Sequence, residues 1–267
     1  MSESYCIYHI AHKQTIEISG KTKLMILEKR RIVITGGTSG IGYELAKHLH
    51  PLNEVIVIAR STDKLKRLAQ ELSGITTYQA DLSNPRDVEA VADTIIKRFK
   101  SIDVLINNAA IQYTPTFLDD DFSYESISRE ITLNFTSVCS LSYLFLPALL
   151  HSTTAVILNI NSGLGLTPKK SSAVYCGTKG AMDIFSQSLR YQLKKTNVRV
   201  QQAFLALVDT PMTYGRGEDK MSAEIAATKI IHGIEHNIND HDIGKVKLLR
   251  FLLRFMPTVA RSIMIKY

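Results

Sequence analysis

Regular patterning begins at residues 31–35 (RIVIT), a β-branched apolar run that stops at a glycine cluster, and a second such run follows at 54–59 (EVIVIA). Between them Ile41 to Leu49 carries apolar residues at helical spacing, so the segment reads as strand, helix, strand. The alternation continues with a helix over 62–72, a strand over 75–80, a helix over 86–99 and a strand over 103–107 (DVLIN). A long helix over 123–150, which Pro147 is placed to bend, leads to a strand over 155–161 (AVILNIN), a helix over 172–195 and a strand over 198–204 (VRVQQAF). Strands that are apolar throughout, separated by helices, belong to a parallel sheet covered on both faces. Right-handed crossovers then predict a doubly wound α/β sheet, three layers in a single domain, with ligands bound beyond the carboxyl ends of the strands.

This unit occupies 27–244. Residues 1–26 precede the first clear strand, and the first 24 read either as an added element or as a tail, with Met25 just before the repeat begins. Residues 245–267 form a third segment. It carries Lys245, Lys247, Arg250, Arg254, Arg261 and Lys266 and no acid, and so holds most of the chain's net charge of +7. Arg250 and Arg254 form one stripe, and Val246, Leu249, Leu253 and Met256 another, which predicts a basic amphipathic helix over 245–264. Such a helix suits an anionic membrane surface, a cover over a substrate pocket, or packing on its own domain or a second subunit.

Composition narrows the class. A hydrophobic share of 45% without low-complexity stretches supports a full core. Cys6, Cys139 and Cys176 stand at no metal-ligand spacing, and the N-terminus lacks the order of a secretory leader, so a reduced, cytoplasmic setting and no metal are expected. The apolar run near the C-terminus is broken by Arg250 and Arg254 before it reaches the roughly 18 residues of a membrane span. No nucleic-acid-binding motif accompanies the positive charge, which excludes nucleic acid as the expected partner.

The first strand-to-helix turn reads Thr35-Gly36-Gly37-Thr38-Ser39-Gly40-Ile41-Gly42. Glycine lets the backbone turn tightly and approach a ligand, and free amides at a helix start favour an anion. Its place in a strand–helix–strand unit makes a dinucleotide pyrophosphate the predicted occupant, in a Rossmann-like fold. No Gly-Lys-Ser/Thr follows, so a phosphoryl-transfer loop is not indicated. Where the second strand ends, an acid would serve the ribose hydroxyls of NAD; the chain instead has Ala59-Arg60, a cation suited to a 2′-phosphate, which predicts NADP(H) with NAD(H) as the second choice.

Tyr175 and Lys179 stand at i and i+4 on one helical face, where an ammonium draws a phenol towards ionisation nearer neutral pH. Tyr43 with Lys47 and Tyr191 with Lys195 share that spacing, so position must choose among the three. Tyr43 lies on the helix after the glycine loop. Tyr191 lies sixteen residues beyond Tyr175, about 24 Å along the helix. Only Tyr175 begins a helix beyond a strand's carboxyl end, and Ser162 closes that strand thirteen residues earlier. Asn134 sits mid-helix, where asparagine has mediocre propensity, and Asn107 and Asn108 end the fourth strand.

With Asp81-Leu82 after the third strand and Val208-Asp209-Thr210 after the sixth, these motifs resemble the short-chain dehydrogenase/reductase family in its single-domain form. The resemblance implies Tyr175 as proton donor or acceptor, Lys179 lowering its pKa and holding the nicotinamide ribose, Ser162 orienting a carbonyl, and Asn134 sustaining a water relay. It implies cofactor contacts from Thr35, Gly36, Thr38, Ser39, Gly40, Ile41, Gly42, Arg60, Asp81, Leu82, Asn107, Ala109, Tyr175, Lys179, Val208 and Thr210. It further implies a small-molecule carbonyl or alcohol substrate and a homodimer or homotetramer. Two departures stand out: Ala110 replaces the usual glycine, and Leu205-Ala206-Leu207 replaces Pro-Gly before Val208. Residues 211–221 read as the lid over the substrate, with Arg216 either solvated or placed for an acidic group. A dinucleotide-binding sensor or scaffold without turnover is the competing reading, and it gives no reason for Asn134, Ser162, Tyr175 and Lys179 together.

Overall fold

The computed structural model describes residues 24–266; all but the last of the 24 residues expected to form an added element or a tail lie outside them, with Cys6, as does Tyr267. The chain alternates as β1 (Arg31–Thr35), α1 (Gly40–Leu49), β2 (Glu54–Ala59), α2 (Thr62–Glu71), β3 (Thr76–Gln79), α3 (Pro85–Arg98) and β4 (Val104–Asn107). There follow α4 (Tyr124–Ile131), α5 (Ser137–Leu150), β5 (Ala155–Ser162), α6 (Ala173–Gln192) and β6 (Val198–Leu205). The last third holds β7 (Val208–Asp209), β8 (Met221–Ser222), α7 (Ala223–Glu235), β9 (Asp240–Ile243), α8 (Val246–Phe255) and α9 (Pro257–Ile265).

The main sheet has seven strands in the order β3-β2-β1-β4-β5-β6-β9, every pair parallel. Alternate residues feed opposite layers: Ile32 and Ile34 of β1 pack with Leu45 of α1, Leu65 of α2 and Ile230 of α7, while Val33 packs with Ile95 of α3 and Phe145 of α5. The order in which strands are added reverses between β1 and β4, which opens a crevice at their carboxyl ends. Ser61 and Asn84 cap α2 and α3 with side-chain oxygens, accepting from the amides of Lys64 and Arg86, whereas the first turn of α1 has no side-chain cap.

Three elements depart from the sequence reading. The helix expected over 123–150 contains a π-helical turn at Thr132–Thr136 between α4 and α5, and Pro147 lies inside α5 without ending it. The wider turn rotates the following face and leaves Asn134 fully buried, a shift that 3.6-residue periodicity does not reveal. By length and composition alone, the run Tyr124–Leu150 could also cross a membrane, a candidate that the sequence reading passed over; α5 packs against α3 and β5, as a core helix does.

The seventh strand, β9, escaped notice because DHDI has no apolar run; it pairs at the sheet edge, Gln202 opposite Asp240 through Leu205 opposite Ile243. The tail forms two helices rather than one, meeting at Met256 and Pro257. Val246 is buried, but Met256 is exposed, and Arg250 leaves the expected cationic stripe: it grips Asp242 with bonds of 2.6 and 2.8 Å and lies over the Phe204 ring.

Candidate active site

A cavity of about 590 Å³ opens where β1, β2, β4, β5 and β6 end. Gly36, Thr38, Ser39, Gly40 and Ile41 line one part; Arg60, Asp81 and Leu82 line another; Ser162, Tyr175, Lys179, Val208 and Thr210 line a third.

The glycine loop is shaped for close approach. Gly36 and Gly40 have φ of +68° and +54°, and a Cβ on Gly36 would stand 2.9 Å from Ala109 Cα. The uncapped amides at the start of α1 lie beside Thr38 and Ser39, a geometry that fits a pyrophosphate. Thr35 and Gly42, expected as contacts, stand behind this surface. Thr35 Oγ1 accepts from the amides of Asn108 (2.9 Å) and Ala109 (3.0 Å), and Gly42 lets α1 lie against the Gly36 carbonyl. Asn107 is likewise outside the lining. Its amide donates 2.9 Å to Asn159 Oδ1 within the sheet, because alternation along β4 turns it away from the crevice. Asn108, which the family pattern contains but the site assignment passed over, lines the cavity and donates to the carbonyls of Thr35 and Gly36 at 3.0 and 3.3 Å.

Beyond β2, Arg60 is exposed on the cavity wall with Ser61 and Lys64. Lys64 was missed, although it stands four residues from Arg60 and in the first turn of α2. Asp81 lines the opposite side. Burial raises its carboxyl pKa, but two bonds from Ser83 and the charges of Arg129 and Arg60 outweigh this and leave it below the usual carboxylate range.

At the reacting end, α6 presents Tyr175, Thr178 and Lys179 on its buried face, and Ser162 ends β5 beside them. Burial pushes the Tyr175 phenol well above its ordinary range; the Ser162 hydroxyl and the Arg216 charge pull it back only in part. Lys179 is not among the groups that lower it, so in this structure burial and not the neighbouring ammonium sets the direction. The ammonium faces the Tyr175 ring 5.6 Å from its centroid and donates to the Ile160 carbonyl at 2.8 Å, while burial brings its own pKa down to about 8. Asn134 does not line the cavity. Its amide clasps the backbone of Ile111, accepting at 2.9 Å and donating at 2.8 Å, and reaches Thr178 Oγ1 at 3.4 Å, tying the segment after β4 to α6.

The two tyrosine decoys stand apart from the crevice. Tyr43 donates to Glu71, which with burial raises its pKa to about 12, and Tyr191 is largely exposed.

The segment 211–221 is folded rather than open. The strands β7 and β8 join its ends, Leu207 packs where Gly217 has no side chain, and Arg216 donates to Gln112 Oε1 at 2.8 Å and to the Met212 carbonyl. Over the same end lie Val246, Leu248, Leu249 and Leu252 of α8 with Ile263 and Met264 of α9, and Leu249 reaches the space beside Gly163. Of the arrangements open to the tail, a cover on the pocket of its own domain is the one observed.

The short chain dehydrogenase family profile matches residues 30–221. The chain is 39% identical over 187 residues to the uncharacterized oxidoreductase DltE of Bacillus subtilis, covering 70% of this chain and 74% of that one. It is 32% identical over 225 residues to the very-long-chain 3-oxoacyl-CoA reductase of Bos taurus, covering 79% and 71% of the two chains. A short chain dehydrogenase of Burkholderia cenocepacia, solved with NADP, shares the fold with a TM-score of 0.81 over 90% of this chain and 99% of that one, at 22% identity. On this profile match and the similarity to these oxidoreductases, the protein belongs to the short-chain dehydrogenase family and is an oxidoreductase.

Proposed function

We propose that the protein reduces a carbonyl compound, or oxidises the matching alcohol, with NADP(H) as preferred cofactor and NAD(H) as a weaker one. The observation that carries this reading is the placement of Ser162, Tyr175 and Lys179 in one crevice with the glycine cradle. The cofactor's nicotinamide supplies or accepts a hydride; the pyrophosphate fits the Gly36–Ile41 loop, and Arg60 and Lys64 suit a 2′-phosphate.

Ser162 Oγ holds the carbonyl oxygen. Tyr175, protonated at neutral pH because burial disfavours its phenolate, gives its proton to that oxygen as the carbonyl carbon gains the hydride; in the alcohol direction it takes the proton back. Lys179 lies within the same buried group to hold the nicotinamide ribose and to favour the transient phenolate. Asn134 acts by fixing Ile111 and Thr178, and a water held beside this clasp would complete a proton route.

The assignment is tested by screening carbonyl and alcohol compounds for consumption or formation of reduced cofactor. Deuterium at the transferable position of NADPH should appear on the carbinol carbon of the product. Its absence from every product would overturn the reading.

The free thiols of Cys139 and Cys176 suit a reduced, cytoplasmic setting. Exposed Tyr143 on α5 with Ile184 and Tyr191 on α6 supports pairing with a second copy, to be read from light scattering. On the tail, exposed Phe251, Phe255 and Ile265, outside the cavity lining, stand among Lys247, Arg254 and Arg261, which supports peripheral contact with an anionic inner membrane surface. Sedimentation with anionic but not neutral vesicles at physiological salt is expected, and no binding to anionic vesicles would refute that contact.

A further inference from the structure

Two cations beside Tyr175 form no ion pair among the described residues, although the charge of Glu130 reaches Tyr175 and Cys176 from the same neighbourhood. Lys169, on the segment between β5 and α6, and Arg216, on the segment between β7 and β8, both line the cavity with Tyr175. Neither is within ion-pair distance of a carboxylate among the described residues. Both are partly buried, and they are close enough for the Arg216 charge to add to burial in lowering the Lys169 pKa. Two like charges withdrawn from water without a counter-ion are unfavourable, and an anion between them relieves both the desolvation and the repulsion.

Arg216 is also oriented. Gln112 accepts from its guanidinium at 2.8 Å and donates to Ser172 Oγ at 3.2 Å, and Ser172 immediately precedes α6, three residues before Tyr175, in a left-handed conformation (φ +58°) and without a side-chain bond to the helix amides. These partners are neutral, so they aim the planar fork without cancelling its charge. The cofactor's own anionic groups have proposed places elsewhere, at the glycine loop and at Arg60 with Lys64, whereas Arg216 lies near enough to Tyr175 for its charge to favour the phenolate. Much of the remaining wall is apolar, from Leu164, Leu207, Leu248, Leu252, Ile263 and Met264, and the further cation in it, Lys245, has Asp219 at 3.9 Å.

Resting on the carbonyl-reduction reading, we infer that Lys169 and Arg216 form a carboxylate subsite and that the substrate is an amphiphilic oxo or hydroxy acid. Its carbonyl lies at Ser162 and Tyr175, its carboxylate between the two cations, and its apolar remainder under α8 and α9. Gln112 Oε1 and the Met212 carbonyl each take one hydrogen of the Arg216 guanidinium, and the hydrogens left on its two terminal nitrogens can meet a carboxylate.

The test measures binding without turnover, so its outcome is separate from that of the hydride-transfer assay. Decanoate and methyl decanoate, alike in chain and different in charge, are titrated into the full-length protein saturated with NADP. Decanoate is expected to bind at least about tenfold tighter, the effect of a charge-assisted hydrogen-bonded pair. Added salt should weaken the acid and leave the ester unmoved. In the double variant K169Q/R216Q the acid should lose its advantage while NADPH affinity stays within about threefold of the wild type. Equal binding of acid and ester by the wild type overturns the inference, and this result needs no variant. Loss of NADPH binding in a folded double variant also overturns it, since the two cations would then serve the cofactor.

Discussion

Lys179 Nζ donates to the carbonyl of Ile160 at 2.8 Å, so the one ammonium in the buried face of α6 is held by the strand beneath it. Burial lowers its pKa from 10.5 to about 8, and the unfolded chain therefore binds more protons than the folded one between those values. Stability contributed by this site is present above the unfolded value, falls as the pH drops through the window, and stays low below it. Lys179→Met should be more stable than the wild type at pH 7 by on the order of 1–3 kcal/mol, with the gap closing towards pH 10, while turnover is lost. Urea melts at the two pH values check this. A less stable Met variant at pH 7 would mean that the bond to Ile160 outweighs the cost of burial.

Glu130 behaves in the opposite sense. Burial raises its carboxyl to about 7, against a bond accepted from the Tyr113 amide that favours the charged form. The folded chain holds this proton where the unfolded chain has released it, so stability is full below pH 4.5 and declines as the pH rises through about 7. Glu130→Gln keeps the acceptor for Tyr113 and should gain up to about 3 kcal/mol over the wild type at pH 8, with no gain near pH 4.5. A gain independent of pH would contradict the assignment.

Arg60 and Lys64 flank the position proposed for the 2′-phosphate. Arg60→Ala should lower the ratio of NADPH to NADH affinity by about tenfold, and adding Lys64→Ala should lower it further. Fluorescence titration with both cofactors gives the ratio directly. An unchanged ratio removes the two cations from cofactor choice.

A Cβ on Gly42 would stand 2.3 Å from the Gly36 carbonyl oxygen and 2.5 Å from Asn108 Nδ2. The first of these is backbone and cannot rotate aside, so Gly42→Ala should force α1 away from the loop. A loss of about 1–3 kcal/mol in stability is expected, with weaker NADPH binding. Retention of both would show that the loop yields without cost.

The sheet was legible because its inner strands are apolar throughout, and the helices between them keep one period. What escaped the sequence did so for local reasons. The strand at Asp240–Ile243 is polar and at an edge, and the π turn around Asn134 conserves composition while changing the face. Of the site, Ser162, Tyr175 and Lys179 were recognisable from their order relative to strand ends, and the decoys Tyr43 and Tyr191 show why spacing alone could not select them. Both asparagines were recognised at the end of the fourth strand, but Asn107 and not Asn108 was named as a cofactor contact, because which of two adjacent residues faces the crevice depends on the strand's alternation. Lys169 remained invisible as a site residue because segments 162–172 and 211–221 meet only in three dimensions; Arg216 was noticed, but not its neighbour.

In the proposed reaction the Tyr175 hydroxyl transfers the proton. Tyr175→Phe removes only that oxygen from a buried ring, so NADPH affinity should stay within about threefold of the wild type. Turnover of any reducible compound should fall by about 10²–10⁴-fold. Measured on one preparation, NADPH binding unchanged with turnover lost is the predicted result; equal turnover by Tyr175→Phe and wild type would contradict the account.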